Sequence, residues 1–362
     1  MQSSDLPANA RILVIMLRRL GDMLLATPLV RTLRHGFPDA RVDMLAFNGS
    51  QRILAGNPDI DAVVTMREGA TVRESLTLLR RLWRRYDLVI STQAGDRPTF
   101  FAWAAGRRRI GLVLAHDSGY WWKRRVYDHP VLAEANQHRV TELLRLSGAL
   151  GLAPHPSLVP PKATTAAPIA PAQRYAVIHV NPFYRYKRWT NDGWRGLALA
   201  LADRGLAVVA TEGRDAAEQA YAEQVWGAAE SRVIRERGRL DFCGLAALLQ
   251  NAAVYIGPDT SITHLAAACG CPTVALYGPT SPRLIGPWPG GLGLTQPWDH
   301  AGMIQQRGNV WVVQNPLPCL PCERLGCDGY LDSHSQCLDE LGVAQVIRAV
   351  DAALERSKPG CP

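Results

Sequence analysis

The chain carries an unbroken apolar run at residues 12–17, bounded by Arg11 and Arg18, as expected of a strand buried on both faces. A short loop over 18–22 leads into a helical pattern from 23 to about 37. Strand-like runs at 41–47, 62–66 and 87–92 then alternate with helical stretches at 72–85, 98–105 and 139–150. Such alternation predicts a parallel sheet with helices on both faces. The pattern breaks over 153–173, where Pro154, Pro156, Pro160, Pro161, Pro168 and Pro171 exclude a helix. A second series follows, with strands at 175–180, 207–211, 254–257 and 273–277 and helices at 194–204, 216–229, 245–251 and 262–269. Residues 278–318 are rich in Gly, Pro and Trp, and an amphipathic helix runs from 343 to about 354.

The predicted class is therefore α/β, with two doubly wound domains whose strand C-terminal ends face a shared cleft. Residues 1–155 form the first domain, 156–174 a linker and 175–340 the second. The helix and tail at 341–362 are expected to pack back toward the first domain. A length of 362 residues agrees, being more than one ordinary core holds. No apolar run is long enough to span a bilayer, and the 12–17 run lacks the cleavage site of a signal peptide, so a cytoplasmic protein is expected. The net charge of +8 fits either simple solubility or attraction to an anionic partner: a nucleotide, a phosphorylated glycan or an acidic membrane surface. Basic clusters at 107–109 and 123–125 come with no nucleic-acid motif, so no nucleic-acid partner is expected.

Candidate chemistry lies where predicted strands end. Gly21 allows a tight turn after the first strand, and Asp22 falls where the next helix begins. Asp22 is there either a helix N-cap or a general base facing the cleft. One glycine over 20–25, where a dinucleotide fingerprint wants three, argues against a nicotinamide oxidoreductase. After the first strand of the second domain, Arg185, Lys187 and Arg188 place three cations in four residues, either to meet a diphosphate or as a solvated loop. Glu218 opens a later helix, as a capping carboxylate or a ribose ligand. Asp259, Thr260 and Ser261 sit where a strand hands over to a helix, so hydroxyls and N–H groups meet the positive helix end. His264, one turn further, is either structural or a ligand contact. Thr280 follows the next strand and would line the same cleft.

Three blocks then carry a family resemblance: ILVIMLRRLGDMLLATP over 12–28, the Lys187-Arg188-Trp189 loop, and YIGPDTSITHLAAACGCPTVALYGPTSP over 255–282. Together they resemble the lipopolysaccharide heptosyltransferases of glycosyltransferase family 9. The first block, with FPDARVDML and NPDID after it, looks most like the heptosyltransferase III branch. The resemblance implies a GT-B fold of two Rossmann-like domains and a metal-independent, inverting transfer from ADP-heptose to the lipopolysaccharide inner core, with no cofactor. It implies Asp22 as base and Lys187 as phosphate ligand. Asp259-Thr260 matches the family's phosphate turn, with Ser261 standing where Gly is usual. The ribose-contacting glutamate has no clean match; Glu218 is nearest, with Glu212 possible.

The acceptor is less legible. Arg18, Arg107, Arg108 and Arg109, with Trp103, Trp121 and Trp122, are candidates for a phosphorylated glycan, against a buried core for the tryptophans. Peripheral contact with the inner membrane is compatible with the charge. Of eight cysteines, Cys243, Cys269 and Cys271 read as small core residues. Cys319, Cys322, Cys327 and Cys337 supply only one CxxC pair, half of a zinc signature, and no metal is expected. Rival readings are a protein-directed heptosyltransferase, a nucleotide-sugar epimerase on the same fold, and a non-catalytic sugar-nucleotide-binding module.

Overall fold

The computed structural model describes residues 6–163, 169–227 and 232–356. The chain divides into two compact units, Met1–Pro161 and Lys162–Pro362.

The first unit is built on six strands: β1 (Arg11–Ile15), β2 (Arg41–Phe47), β3 (Ala62–Met66), β4 (Tyr86–Ser91), β5 (Gly106–Val113) and β6 (His129–Leu132). They form one parallel sheet in the order β3-β2-β1-β4-β5-β6. Its helices are α1 (Leu20–Leu25), α2 (Thr27–Gly36), α3 (Val72–Leu82), α4 (Asp96–Ala105), α5 (Tyr120–Val126) and α6 (Arg139–Gly148). Ile12, Leu13, Val14 and Ile15 are all fully buried, because β1 lies in mid-sheet with cover on both faces. Each such side chain contributes about 1.5–3 kcal/mol relative to exposure.

The second unit has β7 (Tyr175–His179), β8 (Ala207–Thr211), β9 (Ile234–Arg235), β10 (Val254–Pro258), β11 (Thr273–Leu276), β12 (Ile304–Arg307) and β13 (Val310–Val313), in the order β12-β13-β11-β10-β7-β8-β9. All pairings are parallel except β12 with β13, a hairpin at one edge. Its helices are α7 (Asn191–Asp203), α8 (Ala216–Trp226), α9 (Phe242–Gln250), α10 (Ser261–Ala268), α11 (Pro282–Ile285), α12 (Gln336–Asp339) and α13 (Val343–Arg356). Where the sequence points α13 toward the first unit, its buried Val346, Ala349, Val350 and Ala353 join the core of the second. Each unit is thus a Rossmann-like doubly wound sheet. In each, the strand order reverses beside the first strand, at β1/β4 and at β7/β10, and such switch points are where ligands bind in this architecture.

Three local readings change. The helix expected from 23 to 37 is broken at Ala26, because Pro28 opens a new helix and forbids continuation of the old one. Residues 106–113, read from the sequence only as a basic cluster at Arg107–Arg109 with no element assigned, form β5. The Gly/Pro/Trp-rich stretch contains the β12–β13 hairpin.

Candidate functional site

In the first unit the chain leaves β1 through Met16 and Leu17. Leu17 is clamped by Gln93, which follows β4: its N–H donates to Oε1 at 2.6 Å, and Gln93 Nε2 donates to its carbonyl at 3.1 Å. The loops after β1 and β4 are thereby stitched together at the switch point. Asp22 follows as the third residue of α1, whose N-cap is Arg19. Asp22 therefore does not cap the helix, and the fold makes no use of its carboxylate for that purpose. Gly21 is helical, with no positive φ, so it makes no tight turn. The Asp22 side chain is 24% exposed, with Arg18 Nη1 at 4.0 Å and Arg139 Nε at 3.7 Å. Arg139 opens α6, and its guanidinium also pairs with Glu142. It lies 117 residues from Asp22 in sequence, and nothing in the local pattern marks it.

Arg107, Arg108 and Arg109 do not join this group. Leu88 of β4 faces both Ile12 and Arg108, so the three arginines lie level with the start of β1. Asp22 follows the other end of that strand, roughly 10 Å or more away at about 3.3 Å per residue. Arg109 is held by Asp128 and Arg107 lies 4.0 Å from Asp87. Trp103 and Trp121 are exposed on α4 and α5 rather than buried, and Trp122 is half-buried.

In the second unit, Lys187 ends a short 3-10 turn after β7, and Asp259 follows β10. The two side chains form an ion pair across the switch point. Burial works against the Lys187 ammonium, but Asp259 outweighs it and raises the pKa. Burial likewise pushes the Asp259 carboxyl up, yet Lys187, then His264 and the Thr280 hydroxyl, hold it below the usual carboxylate range. The Tyr277 hydroxyl also donates to it, at 3.3 Å. Both partners stay ionised. A lysine has three N–H donors, so one on Asp259 leaves two for a ligand.

Thr260 is the N-cap of α10, its Oγ1 accepting from Thr263 N at 3.4 Å. Ser261 is the first helical residue and has no positive φ, so its side chain strains nothing where a Gly would be usual. The open N–H groups at this end are those of a helix start, suited to an anion. Arg185 and Arg188 turn elsewhere. Arg185 Nη1 donates to the Asp332 carbonyl at 3.1 Å, and the Arg188 guanidinium lies 3.9 Å over the Tyr221 ring.

Glu212 is spent: its fully buried carboxylate takes two hydrogen bonds from Arg235, at 2.6 and 3.0 Å. Glu218 is in the first turn of α8, whose N-cap is Asp215. Its carboxylate lies over Gly213, where an added Cβ would come 1.5 Å from Oε2. Burial and then Asp215 raise its pKa. Of the two glutamates, only Glu218 has a carboxylate uncommitted to a buried ion pair.

The cysteine-rich tail braces this loop. Ser335 Oγ donates to the Tyr186 carbonyl at 2.6 Å, Asp332 holds Arg185, and the Leu341 carbonyl accepts from Trp189 Nε1 at 2.8 Å. Trp189 itself is buried against Trp194, with ring centroids 4.9 Å apart. The cysteines at 319, 322, 327 and 337 are unpaired. Cys337 is buried, and burial, then the neighbouring cysteines, push its thiol up to about 12. Among the described residues no group of three or more His, Cys, Asp or Glu is arranged to hold a metal ion. Cys361 lies outside the described residues.

One buried group makes the stability of the second unit sensitive to pH. His179, the last residue of β7, has Nδ1 3.0 Å from Thr211 Oγ1 and Nε2 3.1 Å from the Asn181 carbonyl. Burial lowers its pKa to about 4. The unfolded chain takes up a proton near pH 6.5 that the folded chain refuses. Stability present above about 6.5 is therefore expected to be lost progressively as pH falls toward about 4. Urea unfolding of wild type and His179→Gln across this range checks it: the variant should show the shallower pH dependence, and equal slopes would contradict the assignment.

Comparison with known proteins places these residues in context. Residues 75–293 match the family described as Glycosyltransferase family 9 (heptosyltransferase). Lipopolysaccharide heptosyltransferase 3 of Escherichia coli (strain K12) is 29% identical over 291 residues, covering 74% of this chain and 82% of that protein. A family 9 glycosyl transferase from Veillonella parvula superposes with a TM-score of 0.75 at 19% identity, over 96% of this chain and 97% of that one. E. coli heptosyltransferase WaaC, solved with ADP-2-deoxy-2-fluoro heptose, gives 0.68 at 19% identity, over 94% and 99%. The structural likenesses show a shared GT-B fold of two Rossmann-like domains.

Proposed function

The chain belongs to glycosyltransferase family 9, the heptosyltransferases, and from that premise we propose that it moves a heptose from ADP-L-glycero-D-manno-heptose to the inner core of lipopolysaccharide, inverting the anomeric carbon without a metal. The observation that carries the donor half is the Lys187–Asp259 pair at the start of α10. It keeps a cation with open donors beside a helix N-terminus, a combination suited to a diphosphate. In this reading Lys187 and the N–H groups at Ser261 stabilise the charge that grows on departing ADP. Asp259, itself held ionised with help from His264 and Thr280, keeps Lys187 in place and charged, and Glu218 meets the ribose. In the first unit Asp22 takes the proton of the acceptor hydroxyl as that oxygen attacks. Arg18 and Arg139 orient the carboxylate.

The acceptor hydroxyl belongs to a glycan of the lipopolysaccharide core, and the protein works in the cytoplasm with peripheral contact at the inner membrane. No helix among the described residues is long and apolar enough to cross a membrane. The stereochemical part is tested by incubating the enzyme with ADP-heptose and a core oligosaccharide and reading the new heptoside by NMR. An anomeric configuration opposite to the donor's, formed at an unchanged rate in the presence of EDTA, is expected. Retention of configuration, or loss of turnover to EDTA, would contradict the mechanism.

A further inference from the structure

The charge of this protein is concentrated in one stretch. Residues 72–126 hold twelve Arg or Lys and four Asp or Glu, a surplus of eight, equal to the net charge of the whole chain. The remaining residues are balanced. The same stretch carries α3, α4 and α5, which pack side by side on the first sheet.

The outer faces of α4 and α5 and the end of α3 carry aromatic rings where an ordinary solvent face is polar. Phe100 and Trp103 are one turn apart on α4 and are 52% and 44% exposed. Trp103 meets Trp83, itself 50% exposed, edge to face with ring centroids 5.3 Å apart. Phe100 stacks on Trp122 at 5.1 Å, and the adjacent Trp121 is 63% exposed. The rings make a stripe from the end of α3, across α4, to α5. Val72 and Leu76 add exposed apolar surface on α3. Arginines sit beside the rings: Arg84 within 5.9 Å of Trp83 and Arg125 within 5.8 Å of Trp121. Contiguous exposed apolar surface of this kind marks an interaction site.

We propose that the α3–α4–α5 face docks on an anionic phospholipid bilayer, the aromatic rings entering the headgroup layer and the arginines meeting lipid phosphates. Trp at the water–lipid boundary with surrounding Arg and Lys is what an interfacial surface uses. Each basic residue near such a surface adds to the attraction by anionic headgroups. Single-stranded nucleic acid fits less well, because the rings pack on one another and lie on outer helix faces instead of lining a groove. The proposal rests on the reading of the acceptor as a lipid-anchored glycan and supplies the surface that brings the enzyme to it. Arg107–Arg109 lie level with the start of β1 and Asp22 follows its other end, so this basic cluster does not cover the carboxylate.

The test is co-sedimentation of the full chain with vesicles of phosphatidylcholine alone and of phosphatidylcholine mixed with phosphatidylglycerol. Binding should require phosphatidylglycerol and weaken with salt. The variant Trp83→Ser/Phe100→Ser and the variant Arg84→Glu/Arg125→Glu, at the arginines beside the rings, should each bind at least roughly tenfold more weakly. Both should keep wild-type turnover on a lipid-free core oligosaccharide, which separates loss of docking from failure of the transferase reading. Vesicle binding equal in wild type and both variants would overturn the proposal, as would turnover falling in step with binding. A wild-type dimer that Trp83→Ser/Phe100→Ser dissociates, with no vesicle binding, would assign the face to a second copy and overturn it too.

Discussion

Asp22→Ala is expected to abolish heptose transfer, lowering kcat by at least roughly 10²–10⁴-fold, while ADP binding stays at the wild-type level. The size of the effect is that of losing a general base. Its cleanness follows from the fold. Asp22 is not the cap of α1, and its contacts with Arg18 and Arg139 are long, at 4.0 and 3.7 Å. Surface pairs of that kind contribute about 0–1 kcal/mol. The variant should therefore unfold close to the wild-type temperature, and Asp22→Asn, which keeps the shape, should be equally inactive. Turnover by rapid-mix or steady-state assay, calorimetric titration of ADP and thermal unfolding check these statements. Near-normal turnover in either variant would remove Asp22 from the chemistry.

Lys187→Ala should behave differently, losing both activity and stability. The transferred charge on ADP loses a preorganised cation, which costs roughly 10²–10³-fold in kcat/KM. ADP binding weakens in parallel. The fold also suffers, because Asp259 is buried and loses the partner that holds it ionised. Breaking a buried pair by removing one member costs about 3–5 kcal/mol. Adding Asp259→Asn should recover most of that stability and none of the activity. This double variant separates the two roles of the pair. Equal stability in Lys187→Ala and wild type would show that the ion pair is not buried as described, and recovered turnover in the double variant would contradict the phosphate role.

The architecture was legible because β1 and β7 are apolar runs and β2 and β3 are largely apolar. Residues 62–66 were readable to the residue, since Ala62–Met66 alternates with nothing helical around it. β5 was hidden because its first half is Arg107-Arg108-Arg109, and a strand's edge at the rim of a sheet tolerates charge. The break at Ala26 was signalled by Pro28 but outweighed by the helical periodicity on both sides. At the site, local sequence marked Asp22, Lys187 and Asp259 singly. Their partners were out of reach: Lys187 and Asp259 are 72 residues apart, and Arg139 is further still from Asp22. No periodicity encodes such contacts. The same limit explains why Arg185, Lys187 and Arg188 looked alike. Only the packed loop, pinned by Trp189 and by Ser335 of the tail, turns one of the three toward β10.

The sorting of the arginines in the first unit has the same origin. Sequence distance from Asp22 says nothing about which end of a strand a residue occupies, and strand register places Arg107–Arg109 at the far end from the carboxylate. Their charge instead falls within the basic stretch 72–126, which also carries the exposed rings of α4 and α5.

The most direct measurement is the intact mass of a defined lipopolysaccharide-core oligosaccharide after incubation with the enzyme and ADP-heptose, with ADP-glucose and UDP-glucose as competing donors. Gain of one heptose from ADP-heptose, and no gain from the other two, is the predicted result. An acceptor mass unchanged by ADP-heptose but increased by another donor would contradict the assignment.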